Sequence, residues 1–199
     1  MSELFLKAVE QRRTVRVVEK DSPISDERII EVVSRVVKHS PTAFNSQSST
    51  VAILFGEQHD TFWQMTKDIL KSNVSREQFE LTEKKLNGFQ SGYGTVLFFD
   101  DEEITNAYEK EKPKFKGKFT AWSEQSSGMQ QVAVWTALEQ EGLAASIQHY
   151  NPIVDEKMKE KWDIPIKWRL IAQMPFGIAA ENPVEKSFLP IEERVKVFR

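Results

Sequence analysis

The spacing of apolar positions changes several times along the chain, and each change predicts an element. Leu4, Phe5, Ala8 and Val9 recur at helical spacing and predict a short amphipathic helix over residues 2–12. Pro23 punctuates, and Ser25 is placed to cap a second helix with Asp26 and Glu27 in its first turn. That helix, to about His39, offers Ile29, Ile30, Val33, Val36 and Val37 for burial. Its β-branched residues form helix poorly, so packing has to hold it. Pro41 opposes helix at Ser40, and the polar stretch 40–48 predicts a loop. Residues 50–55 are a compact apolar run, expected as a buried strand ended by Gly56.

Helical spacing returns over 58–72, with Phe62, Trp63, Thr66, Ile69 and Leu70 inward. Ser75 and Gln78 form a capping-box pattern for a further helix carrying Phe79, Leu86 and Phe89, broken by Gly92 and Gly94. Residues 95–99 predict a second strand and the acidic 100–111 a helix. The segment 112–118, four lysines with Pro113, Phe115 and Gly117, predicts a flexible basic loop: a surface loop or a lid. From 126 to about 140 the chain is apolar on nearly all sides, a central helix ended by Gly142. A short strand at 144–148 runs into His149-Tyr150-Asn151-Pro152, followed by a helix over 154–162. A fourth strand at 168–173 is closed by Met174-Pro175-Phe176-Gly177. The tail from Pro183 ends in the alternation Arg194-Val195-Lys196-Val197-Phe198, an edge-strand pattern that a partner subunit's sheet could receive. Few strands, uneven alternation and no repeats predict an α+β domain with one small sheet and helices packed on it.

Composition narrows the chemistry. The 199 residues suit one domain. The chain has no cysteine, which removes disulfide scaffolds, thiolate metal sites and cysteine nucleophiles and suits a cytoplasmic setting. No apolar run approaches a membrane span and no secretory signal is expected. A net charge of −3 argues against general nucleic-acid binding. There is no Gly-x-Ser-x-Gly, no Gly-x-Gly-x-x-Gly and no metal-ligand spacing among His39, His59 and His149, so no metal is expected.

Against that mildly acidic background Arg12, Arg13, Thr14 and Arg16 stand out as a local bank of donors. A solvated helix end is one reading, since cations suit a helix C-terminus. A phosphate grip is the other, because guanidinium groups pair with phosphate through charge-assisted bonds. With no protein acid or base in sight, a Ser/Thr/Asn/Gln loop after the second helix and a basic tail, the pattern fits a phosphorylated planar cofactor that carries the reaction itself. A flavin mononucleotide needs a cationic phosphate grip, amide partners for its pyrimidine edge and positive charge near N1. The surplus of 13 Phe and 5 Trp over 3 Tyr suits either a core or walls around a planar ligand; Trp122, Trp135 and Trp168 are expected in the core.

The chain resembles the FMN-dependent nitroreductase family over essentially its full length, nearest the branch of the yeast fatty-acid-repression-mutant proteins. Arg12-Arg13-Thr14-Val15-Arg16 is similar to the family's Arg-Arg-Ser-x-Arg, and Pro41-Thr42-Ala43-Phe44-Asn45-Ser46-Gln47 to its Pro-Ser-x-x-Asn-x-Gln. Gly128-Met129, Gln148-His149-Tyr150-Asn151-Pro152 and Met174-Pro175-Phe176-Gly177 with the tail complete the series. The resemblance implies a nitroreductase-like fold with a mostly antiparallel sheet, spanning 1–199 as one domain with 183–199 as a dimerisation arm whose strand is exchanged with the partner. It implies a homodimer with two interfacial FMN sites, and ping-pong hydride transfer from NADH or NADPH through flavin N5 to nitroaromatic or quinone-type acceptors. Arg12, Arg13, Thr14 and Arg16 would then hold FMN from one subunit and Pro41, Thr42, Ala43, Asn45 and Gln47 from the other. Gln148, His149 and Tyr150 would face N5 and O4, and Phe44, Phe115 and His149 would wall the acceptor pocket. His149 as a satisfied core histidine remains the alternative. The resemblance also implies Lys186 as a tail clamp on the phosphate. Two features depart from the family: Lys186-Ser187-Phe188 lacks the usual second arginine, for which Arg194 or Lys196 could substitute, and Ser48-Ser49 replaces Pro-Trp. A flavin-binding sensor with little turnover, and an interaction domain without flavin, are the competing readings.

Overall fold

The strand at the middle of the molecule, β3 (Gly94–Asp101), is buried at all eight positions, because helices cover the sheet on both faces. The computed structural model describes residues 2–199. Among them lie eight α-helices: α1 (Ser2–Gln11), α2 (Asp26–His39), α3 (Gly56–Asn73), α4 (Arg76–Gln90), α5 (Glu102–Glu111), α6 (Phe119–Gln140), α7 (Asp155–Trp162) and the single turn α8 (Ile191–Arg194). The other strands are β1 (Val18–Glu19), β2 (Ser49–Phe55), β4 (Ala144–Ala145) and β5 (Trp168–Ala179). The order is β1-β5-β3-β2 with β4 also on β5, and every pairing of named strands is antiparallel.

The two-residue period of β3 divides the core. Val96 and Phe98 pack with Ala172, Met174 and Phe176 of β5 against α2 and α6. Leu97 and Phe99 face the other way, with Leu170 and Leu54, onto Phe62, Trp63, Leu86, Phe89 and Met158 of α3, α4 and α7. A strand covered on both faces reads as a continuous apolar run instead of an alternation.

The capping box at Ser75 and Gln78 and the Ser25 cap form as expected. Other expectations need correction. The acidic helix starts at Glu102; Asp100 and Asp101 belong to β3. Asp101 caps α5, accepting from the Glu103 and Ile104 N–H groups at 3.1 and 3.3 Å. Buried Asp100 accepts from the hydroxyls of Thr105 (3.0 Å) and Ser123 (3.1 Å). The central helix begins at Phe119, seven residues before its apolar pattern, because its first turns bury Ser123, Ser126 and Ser127. Strand β5 does not close at Gln173 but runs to Ala179. Pro175 is tolerated there because the neighbouring segment uses its carbonyl, which accepts from Ser146 N–H at 3.3 Å, and not its missing donor. The strand expected over 144–148 is two residues long, continued only by a bridge between Gln148 and Gln173. On α2, Val32 is buried and Ile30 is exposed. The basic segment 112–118 contains a 3-10 turn, Pro113–Phe115.

The tail forms no strand among the described residues: α8 is one helical turn and residues 180–199 are all exposed. Alternation permits a strand, but a ladder needs an edge to accept it, and within one chain none does. The apolar face of α1 is equally uncovered, with Leu4 71% and Phe5 68% exposed and Ala8 alone buried.

One polar network lies inside the second core layer. The Thr95 hydroxyl accepts from Trp63 Nε1 (2.9 Å) and donates to His59 Nδ1 (2.8 Å), whose Nε2–H donates to Gln90 O (3.1 Å). The buried Lys67 ammonium donates to the side chains of Asn87 and Gln90. Burial lowers the His59 pKa from 6.5 to about 4, so the native state holds it neutral. The unfolded chain binds the extra proton between those values, so this stability is complete above pH 6.5 and is lost as pH falls toward 4. At about 1.4 kcal/mol per pH unit it amounts to roughly 3 kcal/mol. Urea denaturation of wild type and His59→Gln should give a stability gap at pH 7 that closes by that order at pH 4; a gap independent of pH refutes the assignment.

Candidate functional site

The segment after α1 is held in place by backbone. Thr14 bridges Ala145 in parallel and Val15 N–H donates to Ala145 O at 3.1 Å, while Val15 is buried. With residues 14–15 fixed on β4, Arg12, Arg13 and Arg16 project from a short rigid frame. The Arg12 guanidinium stacks on Trp135 of α6, 4.2 Å from the ring centre. Arg13 donates to Val184 O through Nη2, and its Nε is buried without a partner. Glu181 ties the start of the tail here, accepting from the Arg16 and Val17 N–H groups at 3.1 and 3.2 Å.

That tie carries Lys186 to the cluster. The neighbouring Arg12 and Arg13 charges, together with desolvation as the larger cause, push the Lys186 pKa down. Among the described residues none of Arg12, Arg13, Arg16 and Lys186 has a carboxylate within ion-pair distance, whereas Arg28, Arg35, Arg76 and Arg169 all do. Arg12, Arg13 and Lys186, from the two ends of the chain, thus form one positive patch without an ion-paired carboxylate, and Arg16 follows on the same frame. Arg194 and Lys196 are exposed and make no hydrogen bond or ion pair with it, so the substitution expected of them is not seen within the chain; Lys186 stands there instead.

The loop after α2 is wound unusually tightly. Phe44 (φ 56°), Asn45 (φ 53°) and Gln47 (φ 56°) are all left-handed without being glycine. Gln47 N–H donates to Thr42 Oγ1 at 3.0 Å, closing the loop on itself. Such strain gathers at ligand sites. Behind the loop is a cavity of about 290 Å³ lined by Thr42, Gln47, Ser49, Thr50 and Gln130 among others. The Ser49 and Thr50 hydroxyls and Gln130 Oε1 are buried there without partners. In front, a pocket of about 390 Å³ is lined by 41–44, Trp122, Gln125, Ser126 and Met129. Phe44 meets Phe115 (5.6 Å between ring centres), Phe119 (5.7 Å), Trp122 (6.2 Å) and Tyr108 (6.4 Å). Phe44 and Phe115, expected as pocket walls, are therefore neighbours, though Phe44 alone lines the pocket.

At the third cluster, Gln148 N–H and O pair with Gln173 (2.7 and 2.9 Å) and Gln148 Nε2 donates to Ser146 Oγ (3.0 Å). The Tyr150 N–H is already taken by Gln173 Oε1 at 2.7 Å, and its ring packs on Trp63 (5.8 Å). That N–H is not free for a ligand, which corrects the expectation that it faces one. His149 is exposed and makes no hydrogen bond among the described residues, so it is not the satisfied core histidine; His59 is.

Within one chain the clusters do not all meet. Arg12 sits on Trp135, while the pocket of the loop lies against Trp122, Gln125 and Met129, about 15 Å back along α6 at 1.5 Å per residue. Between them an apolar groove of about 740 Å³ runs along α1 and α6, lined by residues including Phe5, Val9, Met129 and Val132. Sequence reasoning missed Trp135 as the platform for Arg12, Glu181 as the tail anchor and Gln173 as the holder of Tyr150. Each acts across at least 23 residues, and none carries a local signal. Among the described residues no group of three or more His, Asp or Glu is arranged for a metal ion.

A family model described as the nitroreductase family matches residues 9–178. The chain belongs to the nitroreductase family. It is an oxidoreductase, with the nitroreductase-like fold expected from its motifs. Two Saccharomyces cerevisiae relatives bear out the branch: HBN1, 31% identical over 98% of this chain and 96% of its own length, and the nitroreductase FRM2, 30% identical over 93% of each. The nitroreductase CinD of Lactococcus lactis, solved with chloramphenicol, nicotinic acid or 4-nitrophenol, superposes with a TM-score of 0.88 in the first complex, at 36% identity over 98% of this chain and 100% of that one. An FMN-bound protein of Desulfovibrio desulfuricans shares the fold at 16% identity and a TM-score of 0.70, over 98% of this chain and 97% of its own.

For this nitroreductase-family chain the strained loop makes a stability prediction. Gln47→Gly removes an exposed side chain at φ 56° and should raise stability by about 0.5–1 kcal/mol, read from the urea midpoint. A loss of similar size would show that the Gln47 amide, and not the site, holds the loop.

Proposed function

We propose that the protein is an FMN-dependent NAD(P)H oxidoreductase acting as a homodimer in the cytoplasm. The observation that carries this reading is the patch of Arg12, Arg13 and Lys186 without ion-paired carboxylates, together with the buried, unpartnered Arg13 Nε. A phosphate fits that donor set: it brings acceptor oxygens and about two negative charges to donors already oriented. Arg12, Arg13, Thr14 and Lys186 would hold the phosphate and ribityl chain, with Arg12 braced on Trp135. Arg16, on the frame beside β4 and with no ion pair on its guanidinium, would lie toward the pyrimidine edge. The family resemblance supports that assignment. Positive charge there favours an electron-rich pyrimidine.

The second half of the site would come from the partner. Pro41, Thr42, Ala43, Asn45 and Gln47 lie away from the cluster in their own chain. The uncovered apolar faces of α1 and α6 and the exposed apolar tail (Val184, Phe188, Leu189, Val195, Val197) supply a surface that a second copy would bury. The tail, 183–199 of a single domain spanning the chain, then acts as an exchanged arm whose strand forms only on the partner. His149 N–H and Gln148 remain candidates to face the flavin, with Tyr150 supporting them from the core. When bound, FMN supplies hydride chemistry between NADH or NADPH and a nitroaromatic or quinone-type acceptor in a ping-pong cycle. The chain's residues position both partners and exclude water. The CinD complexes with chloramphenicol, nicotinic acid and 4-nitrophenol support ligands that carry an aromatic ring.

Purified protein should be yellow and bleach on addition of NADH or NADPH, and should oxidise them steadily with a nitroaromatic or quinone present. Yellow protein without turnover would indicate a flavin-binding sensor instead. Arg12→Ala with Arg13→Ala should weaken FMN binding at least tenfold by fluorescence titration, at about 1.5–3 kcal/mol per lost charged hydrogen bond. Unchanged flavin content in that variant would sink the reading.

A further inference from the structure

We propose that the basic segment 112–118 and Phe44 make the acceptor pocket selective for anionic planar molecules, arene carboxylates and arene phenolates in particular, over neutral ones of the same shape. The inference rests on the functional reading above and takes the 390 Å³ pocket walled by Phe44 as the acceptor pocket, and the residues of the selectivity are separate from those of the cofactor grip.

The physical argument starts with Phe44. Its left-handed backbone turns the ring out of the loop into a wall of aromatic rings, half-exposed and lining the 390 Å³ pocket. That volume suits a single- or double-ring planar molecule. The Lys112 ammonium, shared with Glu111, lies over the same Phe44 ring at 5.6 Å from its centre, and Phe115, flanked by Lys114 and Lys116, meets that ring at 5.6 Å, so the wall carries a lysine-rich segment at its edge.

The segment is also built to keep its charge. The carboxylate that shapes it, Glu109, is spent on backbone, accepting from Gly117 N–H (2.6 Å) and Phe119 N–H (2.8 Å). Lys112 shares Glu111 (2.6 Å), but Lys114, Lys116 and Lys118 have no ion-pair partner among the described residues. A protein of net charge −3 has carboxylates in excess, so three unpaired lysines in one short run are a local feature. Fixed cations within a Debye length of a low-dielectric wall concentrate an anion there and hold its carboxylate while the ring stacks. A neutral amide of the same outline gains the stacking alone.

The test compares 4-nitrobenzoate with 4-nitrobenzamide on the purified full chain, by calorimetric titration for Kd and by steady-state reduction for kcat/KM. Wild type should favour the carboxylate by roughly three- to tenfold at low salt, the scale of one or two partly exposed charge contacts. The preference should shrink at 0.5 M salt. Replacing Lys112, Lys114, Lys116 and Lys118 together by Gln should bring both ratios to about one while flavin content persists. Lys84→Gln with Lys85→Gln, on α4, removes two charges elsewhere and should leave the ratios unchanged. Equal binding of the two ligands by wild type, or a preference that survives the quadruple replacement, overturns the proposal. A colourless protein that still prefers the carboxylate in the titration overturns the flavin reading and leaves this one standing.

Discussion

Strand β5 is hydrogen-bonded along its whole length, to β3 on one side over its first part and to a succession of partners on the other over its last, and that constraint places the rest of the molecule. One side is occupied by β3 from Gly94 to Asp101. The other is shared in turn by Gln148, β4 and β1. The strand end at 148–150, the frame beneath Arg12 to Arg16 and the departure point of the tail are therefore spaced along one ruler. Backbone pairing is directional and inextensible, so these distances are set before any side chain contributes. The room is tight: a Cβ on Gly177 would come within 2.2 Å of Glu19 O, so β1 can approach only because that residue is glycine.

Burial of the sheet on both faces has a second effect. Helices α2, α3, α4 and α7 spend their apolar faces on the two core layers. What remains unspent is concentrated in α1, the outer side of α6 and the tail, all adjoining the arginine cluster. Hydrophobic surface and uncompensated charge lie side by side there, a pairing that a monomer would not maintain for its own stability.

How much of this was legible in the sequence follows from how local each signal is. The capping box at Ser75, the apolar run of β2 and the helical spacing of α3 depend on neighbours within a few positions, and they formed as expected. The start of α6 was hidden because Ser123, Ser126 and Ser127 are buried polar residues, the first two bonded to helix carbonyls and Asp100 and the third accepting from Gln131 Nε2, and hydropathy scores them as surface. Met174-Pro175-Phe176-Gly177 resembled a strand end because the ladder on Pro175 needs only its carbonyl. The arginine cluster was legible as a motif and Lys186 as its companion through the family's tail clamp, but the platform Trp135 was not, since that contact crosses more than 120 residues. The alternating tail was read as a strand from its pattern alone, and pattern does not supply the edge. Tyr150 was expected to face a ligand, yet its N–H is committed to Gln173, a competition visible only once β5 is in place.

Lys186 reaches the arginine cluster from the far end of the chain, on a tail held mainly through Glu181 and the carbonyl of Val184. An anion seated among Arg12, Arg13 and Lys186 would bind more than a ligand site: it would fasten residue 186 to residue 12 and close a loop of more than 170 residues with one ionic staple. Closing so long a loop costs only slowly more entropy than a short one, while the staple draws on several charged hydrogen bonds at once. The ligand then becomes a structural member of the C-terminal region, and the ordering of the tail and the occupancy of the patch become a single linked equilibrium.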